Sequence, residues 1–229
     1  MPSNKQQGLY MRELEIADII IQEGCYVNVW EEEDWVSLPT GIEVPAYLSC
    51  RKLIAKPVSR IIISTALNDK FDEFFNEATL IVGLATAGIP WATKLADQQN
   101  LPLAYVRSNS KDYGVGKLVE GNPDDNETAI IIDDTLFSGE SVLRAIEALK
   151  TEKEIKTIGV LAIANLFSGG DSCFSNVIGV NTRSLTSYSQ LCEVAVRKNI
   201  LSEVQANLMM NFYEDPSSSP HKFRGTYGS

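Results

Sequence analysis

Histidine is nearly absent: the chain has one, His221, near its C-terminal end. That scarcity excludes Ser-His-Asp triads, histidine-clustered metal sites and most imidazole acid–base chemistry. Cysteine is scarce as well. Cys25, Cys50, Cys173 and Cys192 lie far apart without CxxC spacing, which argues against a zinc site or a disulfide framework and predicts reduced core thiols. Positive charge is in deficit, with 20 Lys and Arg against 30 Asp and Glu and a net charge of −10. A surface for nucleic-acid phosphates needs the opposite sign, so no nucleic-acid partner is expected. Long apolar runs are missing too. The longest, Leu80 to Ala92, is broken by Thr86, two glycines and Pro90, and is too short to span a bilayer. The start, MPSNKQQGLYMRELEIAD, is polar and lacks a hydrophobic signal core. A cytoplasmic protein with no membrane contact is the expectation.

What is present is an ordinary globular composition, 44% hydrophobic and 22% charged over 229 residues, enough for one large domain or a main domain with an accessory. Apolar residues at Tyr10, Leu14, Ala17 and Ile21 predict a helix over 10–23 that stops at Gly24. Extended runs follow at Tyr26 to Trp30 and Trp35 to Leu38, and Ile61 to Phe75 reads as helix. From about residue 76 the pattern changes. Leu80 to Leu84 is a continuous apolar strand, and a helix starts near Ile89 with Pro90 in its first turn and ends by Asn100. Leu103 to Val106 is a second strand, followed by a polar stretch from Arg107 to Glu127. A third strand, Ala129 to Ile132, ends in Asp133-Asp134, and a helix with its stripe at Val142, Ala145, Ile146 and Leu149 comes next. Thr157 to Ala164 gives a fourth strand and Val177 to Val180 a fifth. This alternation predicts an α/β fold built on a doubly wound parallel sheet, with ligands bound beyond the C-terminal strand ends. Residues 1–60 form an N-terminal helix and hood, 61–213 the core, and 214–229 a mobile tail.

The chemistry concentrates in AIIIDDTLFSGES, residues 129–141. A buried strand delivers two carboxylates, able to grip vicinal sugar hydroxyls or a magnesium ion, and a Ser/Gly turn then opens a helix. Amides and hydroxyls at a helix N-terminus bind phosphate, because free N–H groups and the helix dipole both favour an anion. One ribose-phosphate ligand satisfies both halves. On the residues alone the stretch also reads as a strand end followed by a Ser138 cap, although capping explains one serine and not two carboxylates.

This stretch resembles the 5-phosphoribosyl-1-pyrophosphate (PRPP) motif of type I phosphoribosyltransferases. Two further segments are similar to orotate phosphoribosyltransferases: IVGLATAGIPWATKLA, residues 81–96, like their pyrophosphate loop, and LPLAYVRSNSKDYGVGKLVEG, residues 101–121, like their catalytic loop. TGIEVPAYLSCRKL, residues 40–53, is similar to the SGxxSPxYxDxR segment of their hood. The resemblance implies a type I phosphoribosyltransferase fold, a homodimer, and Mg²⁺-dependent transfer of phosphoribose from PRPP to a nucleobase, orotate first, with release of pyrophosphate. It further implies that Asp133 and Asp134 hold the ribose hydroxyls, directly or through Mg²⁺. Thr135, Leu136, Phe137, Ser138, Gly139, Glu140 and Ser141 complete the PRPP site, with Ser138, Gly139 and Ser141 on the 5-phosphate. Thr86, Ala87 and Gly88 line the pyrophosphate, and Arg107 and Lys111 close over it as catalytic cations.

The chain departs from the family at five points. Ser108 stands where the loop has lysine, Tyr113 where it has histidine, Phe137 where a threonine is usual, Leu166 where an arginine meets the orotate carboxylate, and Pro39 where many members have lysine. Two alternatives follow: the same transfer to another base, which Leu166 favours, and a PRPP-binding regulatory relative, which the thinned cations favour. The base-binding residues are left unassigned. A generic nucleotide binder is disfavoured because GLATAGIP lacks the GK[ST] of a P-loop and a full GxGxxG. Cations on a closing loop act chiefly on charge that grows during the reaction. Lys111→Ala should therefore depress turnover far more than PRPP affinity, and unchanged turnover would remove that role.

Overall fold

The computed structural model describes residues 4–28, 36–37, 43–44, 46–108, 117–167 and 169–214. Helix α1 (Asn4–Gln22) is followed by four short strands, β1 (Tyr26–Asn28), β2 (Val36–Ser37), β3 (Glu43–Val44) and β4 (Ala46–Leu48). They form two antiparallel pairs, β1 with β4 and β2 with β3. A 3₁₀ turn, Cys50–Ala55, leads into α2 (Pro57–Phe74), which begins on Pro57 because the fixed φ of proline suits a first helical position. The elements β5 (Leu80–Leu84), α3 (Ile89–Gln99), β6 (Leu103–Val106), β7 (Val119–Glu120), β8 (Thr128–Leu136), α4 (Glu140–Lys153), β9 (Lys156–Asn165), α5 (Gly170–Ile178) and β10 (Asn181–Ser187) then alternate, before α6 (Tyr188–Arg197) and α7 (Glu203–Glu214).

One six-stranded sheet runs β10-β9-β8-β5-β6-β7. All neighbours are parallel except β7, which lies antiparallel on β6. Its central strands β5, β8 and β9 carry aliphatic runs because both faces are covered. Ile81, Ile130, Ile132, Leu161 and Ile163 join Ala17, Ile20, Leu67, Phe71, Trp91, Leu95 and Leu191 in the core under α1, α2, α3 and α6. The alternate residues Leu80, Val82, Ala129, Ile131, Val160 and Ala162 pack with Val142, Ala145, Leu149, Phe174 and Ile178 of α4 and α5. The doubly wound α/β architecture is as expected.

Several boundaries differ from the expectation. Val177 lies in helix α5, not in a strand, and the fifth parallel strand starts at Asn181. Phe174 and Ile178, four apart, put one helical stripe into the core, while Gly169 and Gly179, both with positive φ, bound the helix. Strand β8 does not end at Asp133-Asp134 but continues through Leu136, held by Thr135↔Ala164 and Leu136↔Asn165 pairing with β9. The polar stretch 107–127 contains β7, and α1 begins at Asn4, ahead of the expected residue 10. Helices α6 and α7 have no counterpart in the expectation. Cys25, Cys50 and Cys192 are buried free thiols, but Cys173 is exposed. Of the extended run at Tyr26, Tyr26–Asn28 is strand, and Trp30 and Trp35 lie outside the described residues, as does the tail beyond Glu214.

A polar cluster locks α1 onto this framework. Glu13 accepts a hydrogen bond of 2.7 Å from Gln190 Nε2 of α6 and lies 3.8 Å from Nζ of Lys70 on α2. Burial pushes the Glu13 carboxyl above its ordinary range, while Lys70 pulls it back. Lys70 is itself buried, 5.8 Å from the Phe74 ring centre. Removing one member of such a pair strands the other. Lys70→Met should cost about 2 kcal/mol, below the ~3–5 kcal/mol of a fully buried pair because Glu13 retains some solvent. Adding Glu13→Gln should restore most of it; urea denaturation of both variants checks this, and a harmless single substitution would contradict it.

Candidate functional site

The parallel strands bring their C-terminal ends to one edge of the sheet. After β5, Ala85 N donates to Val106 O at 2.9 Å and Gly88 N to Leu84 O at 2.9 Å, folding residues 85–88 into a tight loop. A Cβ on Gly88 would lie 2.2 Å from the Ile132 carbonyl oxygen, so only glycine lets this loop press on β8 one residue before Asp133. Thr86 is exposed there, while Ala87 and Gly88 are buried. Arg107 follows β6 directly. Its N–H donates to Leu118 O at 3.0 Å, and its guanidinium lies 3.7 Å from the Glu120 carboxylate across the β6–β7 pair. Glu152 of α4 fixes β7 from behind, accepting from Leu118 N at 2.9 Å and Val119 N at 3.2 Å. Lys111 and Tyr113 lie outside the described residues.

Asp133 and Asp134 sit within β8, beside the loop. Asp133 Oδ1 accepts the Asp134 N–H at 2.8 Å. Burial, and then the neighbouring Asp134 charge, push the Asp133 carboxyl well above the usual carboxylate range. Asp134 is also raised, first by burial, with Arg51 as the principal opposing charge. Two such acceptors are poised for hydroxyl donors or a cation. Beyond them Thr135 Oγ1 donates to Cys50 Sγ at 3.8 Å, and the carbonyl of buried Leu136 accepts from Leu166 N at 2.8 Å.

The chain then turns into α4 through Phe137, half-buried, and exposed Ser138. Gly139, with a φ of +83°, is the N-cap and provides no side-chain cap bond. Ser138, the cap of the alternative reading, is not the N-cap and accepts only a long 3.5 Å bond from Glu140 N. The other first-turn amides are open to an incoming acceptor, which the helix dipole favours as an anion. Glu140 and Ser141 are exposed beside them. Next to β8, Asn165 ends β9 with its Nδ2 donating to Asp171 Oδ1 at 2.9 Å, and Leu166 is buried at 7% exposure.

Thus Thr86, Ala87, Gly88, Arg107 and the whole run Asp133 to Ser141 gather at one edge. Residues 40–53 include a contributor that the sequence reading did not single out: Cys50 touches Thr135, and Arg51 bears electrostatically on Asp134. Glu120 and Glu152 also went unforeseen. Arg51 lies inside the hood segment already noted for its resemblance, whereas nothing in the sequence marks the two glutamates.

The chain matches the phosphoribosyl transferase domain family over residues 52–168. It is 34% identical over 194 residues to the orotate phosphoribosyltransferase of Streptococcus pneumoniae, covering 84% of this chain and 90% of that one. Among solved structures, it resembles UMP synthase of Leishmania donovani with a TM-score of 0.73 at 21% identity, over 88% of this chain and 42% of that one. It also resembles orotate phosphoribosyltransferase of Aeropyrum pernix with a TM-score of 0.66 at 23% identity, over 82% of this chain and 99% of that one. With its two carboxylates, its glycine-tight loop and an open helix N-terminus at one sheet edge, the chain belongs to the phosphoribosyltransferase family and, within it, to the orotate phosphoribosyltransferases.

Proposed function

We propose that this protein transfers the 5-phosphoribosyl group of PRPP to orotate, releasing pyrophosphate, as a step of pyrimidine nucleotide synthesis. The observation that carries the reading is the 34% identity to an orotate phosphoribosyltransferase across 90% of that protein, joined to the clustering of Asp133, Asp134 and the α4 N-terminus. A cytoplasmic homodimer completes it. No described helix is long and apolar enough to cross a membrane, and the family resemblance supports the dimer. The division into a hood over residues 1–60 and a core over 61–213 belongs to the same reading.

The roles divide by chemistry. Asp133 and Asp134 accept the ribose hydroxyls, and Ser138, Gly139 and Ser141, with neighbouring amides at the start of α4, take the 5-phosphate. Backbone groups at Thr86, Ala87 and Gly88 line the pyrophosphate, which Arg107 and Lys111 neutralise as it departs. Among the described residues no group of three or more metal-ligating side chains gathers. A pair of hard carboxylate oxygens with ligand phosphates nearby suits Mg²⁺, which takes one or two protein carboxylates and keeps its other positions for phosphate and water. When bound it would neutralise charge developing on pyrophosphate. The protein needs no covalent nucleophile: it holds the ribose, shields C1 from water and gathers positive charge at the leaving group.

Incubation with PRPP, Mg²⁺ and a panel of pyrimidine and purine bases tests this directly. Pyrophosphate release with orotate alone is the expected result. Release with another base moves the substrate, and PRPP binding without release for any base favours a regulatory relative.

Because Asp134 is raised above the ordinary carboxyl range by burial, its charge opposes folding at neutral pH. The unfolded chain ionises freely near pH 4 while the folded chain resists, so stability falls as pH rises through that window. Asp134→Asn should therefore abolish PRPP binding yet stabilise the unliganded protein by on the order of 1 kcal/mol, about 2–4 °C in melting temperature. The gain should vanish below about pH 4, where both states are protonated. Thermal melts with and without PRPP across pH 3–8 read both effects; a lowered melting point at neutral pH would contradict the sign.

A further inference from the structure

Leu166 and Phe137, beside the end of β9, carry no charge where a charged base must be recognised. Leu166 is buried at 7% exposure and Phe137 packs against the same core. Neither can pair with a carboxylate. Arg107 stands on the far side of β5, beside the 85–88 loop, and is engaged by Glu120.

A cation reaches the carboxylate pair from the hood. Arg51 is the second residue of the 3₁₀ turn Cys50–Ala55, and that turn is fixed at several points. Cys50 and Leu53 are fully buried, Ser49 N donates to Cys25 O at 2.9 Å, and Cys50 Sγ accepts from Thr135 Oγ1 at 3.8 Å. The Arg51 backbone is thus held one residue from a direct contact with β8, and that contact lies one residue beyond Asp134. The Arg51 side chain is exposed, and among the described residues no hydrogen bond or ion pair holds it. Its charge nonetheless bears on both Asp134 and Asp133. A guanidinium on a turn docked beside the acidic pair, with no bond among the described residues, is available to an anion lying between that turn and the strand. With the 5-phosphate on the α4 turn and pyrophosphate on the 85–88 loop, the acceptor base is the ligand part left for that space.

We propose that Arg51 is the residue that reads the base: its guanidinium takes the carboxylate of the acceptor pyrimidine, supplying from the hood the charge that Leu166 lacks. The inference rests on the orotate reading above. A planar guanidinium matches a carboxylate with two parallel N–H···O bonds, a geometry that lysine reproduces only in part and glutamine hardly at all. With the base absent the Asp133–Asp134 charges only bias Arg51 toward the site, and the incoming carboxylate bonds it directly.

Steady-state kinetics of wild type, Arg51→Gln and Arg51→Lys, each with orotate and PRPP varied separately, test this. Uracil, which is orotate without the carboxylate, serves as a competitive inhibitor. Arg51→Gln should raise KM for orotate by about 10- to 100-fold. KM for PRPP should stay within about 3-fold and the inhibition constant of uracil should not change, because neither depends on the carboxylate contact. Arg51→Lys should recover part of the orotate affinity. An unchanged KM for orotate overturns the assignment, and so does a KM for PRPP that rises in step with it, since the cation would then belong to pyrophosphate. Wild-type enzyme that releases no pyrophosphate with orotate overturns the functional reading itself and this inference with it. That outcome is distinct from an active wild type whose Arg51 variants behave alike.

Discussion

The site depends on one backbone contact, the parallel pairing of β5 with β8. Gly83 opposite Ile132 sets the register, so the loop that leaves β5 and the carboxylates carried by β8 end at the same height. Gly88 then presses its backbone on the Ile132 carbonyl. A register slip of one residue would swap the faces of the sheet to which Asp133 and Asp134 point. Two aliphatic runs buried on both faces resist that slip, because it would expose Leu80 to Leu84 and Ala129 to Ile132 wherever their side chains no longer meet the two cores.

Around that register the electrostatics are unusual for a protein of net charge −10 that handles polyanions. Positive potential has to be local. Backbone amides supply much of it: the uncapped first turn of α4 presents donors that cost no net charge and need no side-chain ordering. Arg107 is tied to Glu120 at the sheet edge, and Arg51 stands on the 3₁₀ turn Cys50–Ala55. The charge of the two carboxylates on β8 is itself resisted by burial.

Much of this was legible in the sequence, for definite reasons. Leu80 to Leu84 and Ala129 to Ile132 read as strands because only a strand covered on both faces tolerates so continuous a run of aliphatics. The acidic pair and the Ser-Gly turn are local in sequence, so residues 133–141 could be read as one unit. The misses are those that tertiary contacts decide. Val177-Ile178-Gly179-Val180 has the composition of a strand, yet Phe174 and Ile178 dock one helical face and Gly179 ends it. Strand β7 is two residues long and exists through pairing with β6 and the grip of Glu152. Arg51 is far from Asp134 along the chain, and only the docking of the 3₁₀ turn Cys50–Ala55 on β8 brings them together.

Strand β7 also bears on how the molecule behaves in a crowded solution. A long bare edge of a parallel sheet invites pairing with another chain. Here β6 is covered by a two-residue antiparallel strand carrying Glu120, too short to template a neighbour. At the opposite edge, α1 lies against β10. Among the described residues, the β7 edge of this sheet therefore offers another chain only a two-residue template.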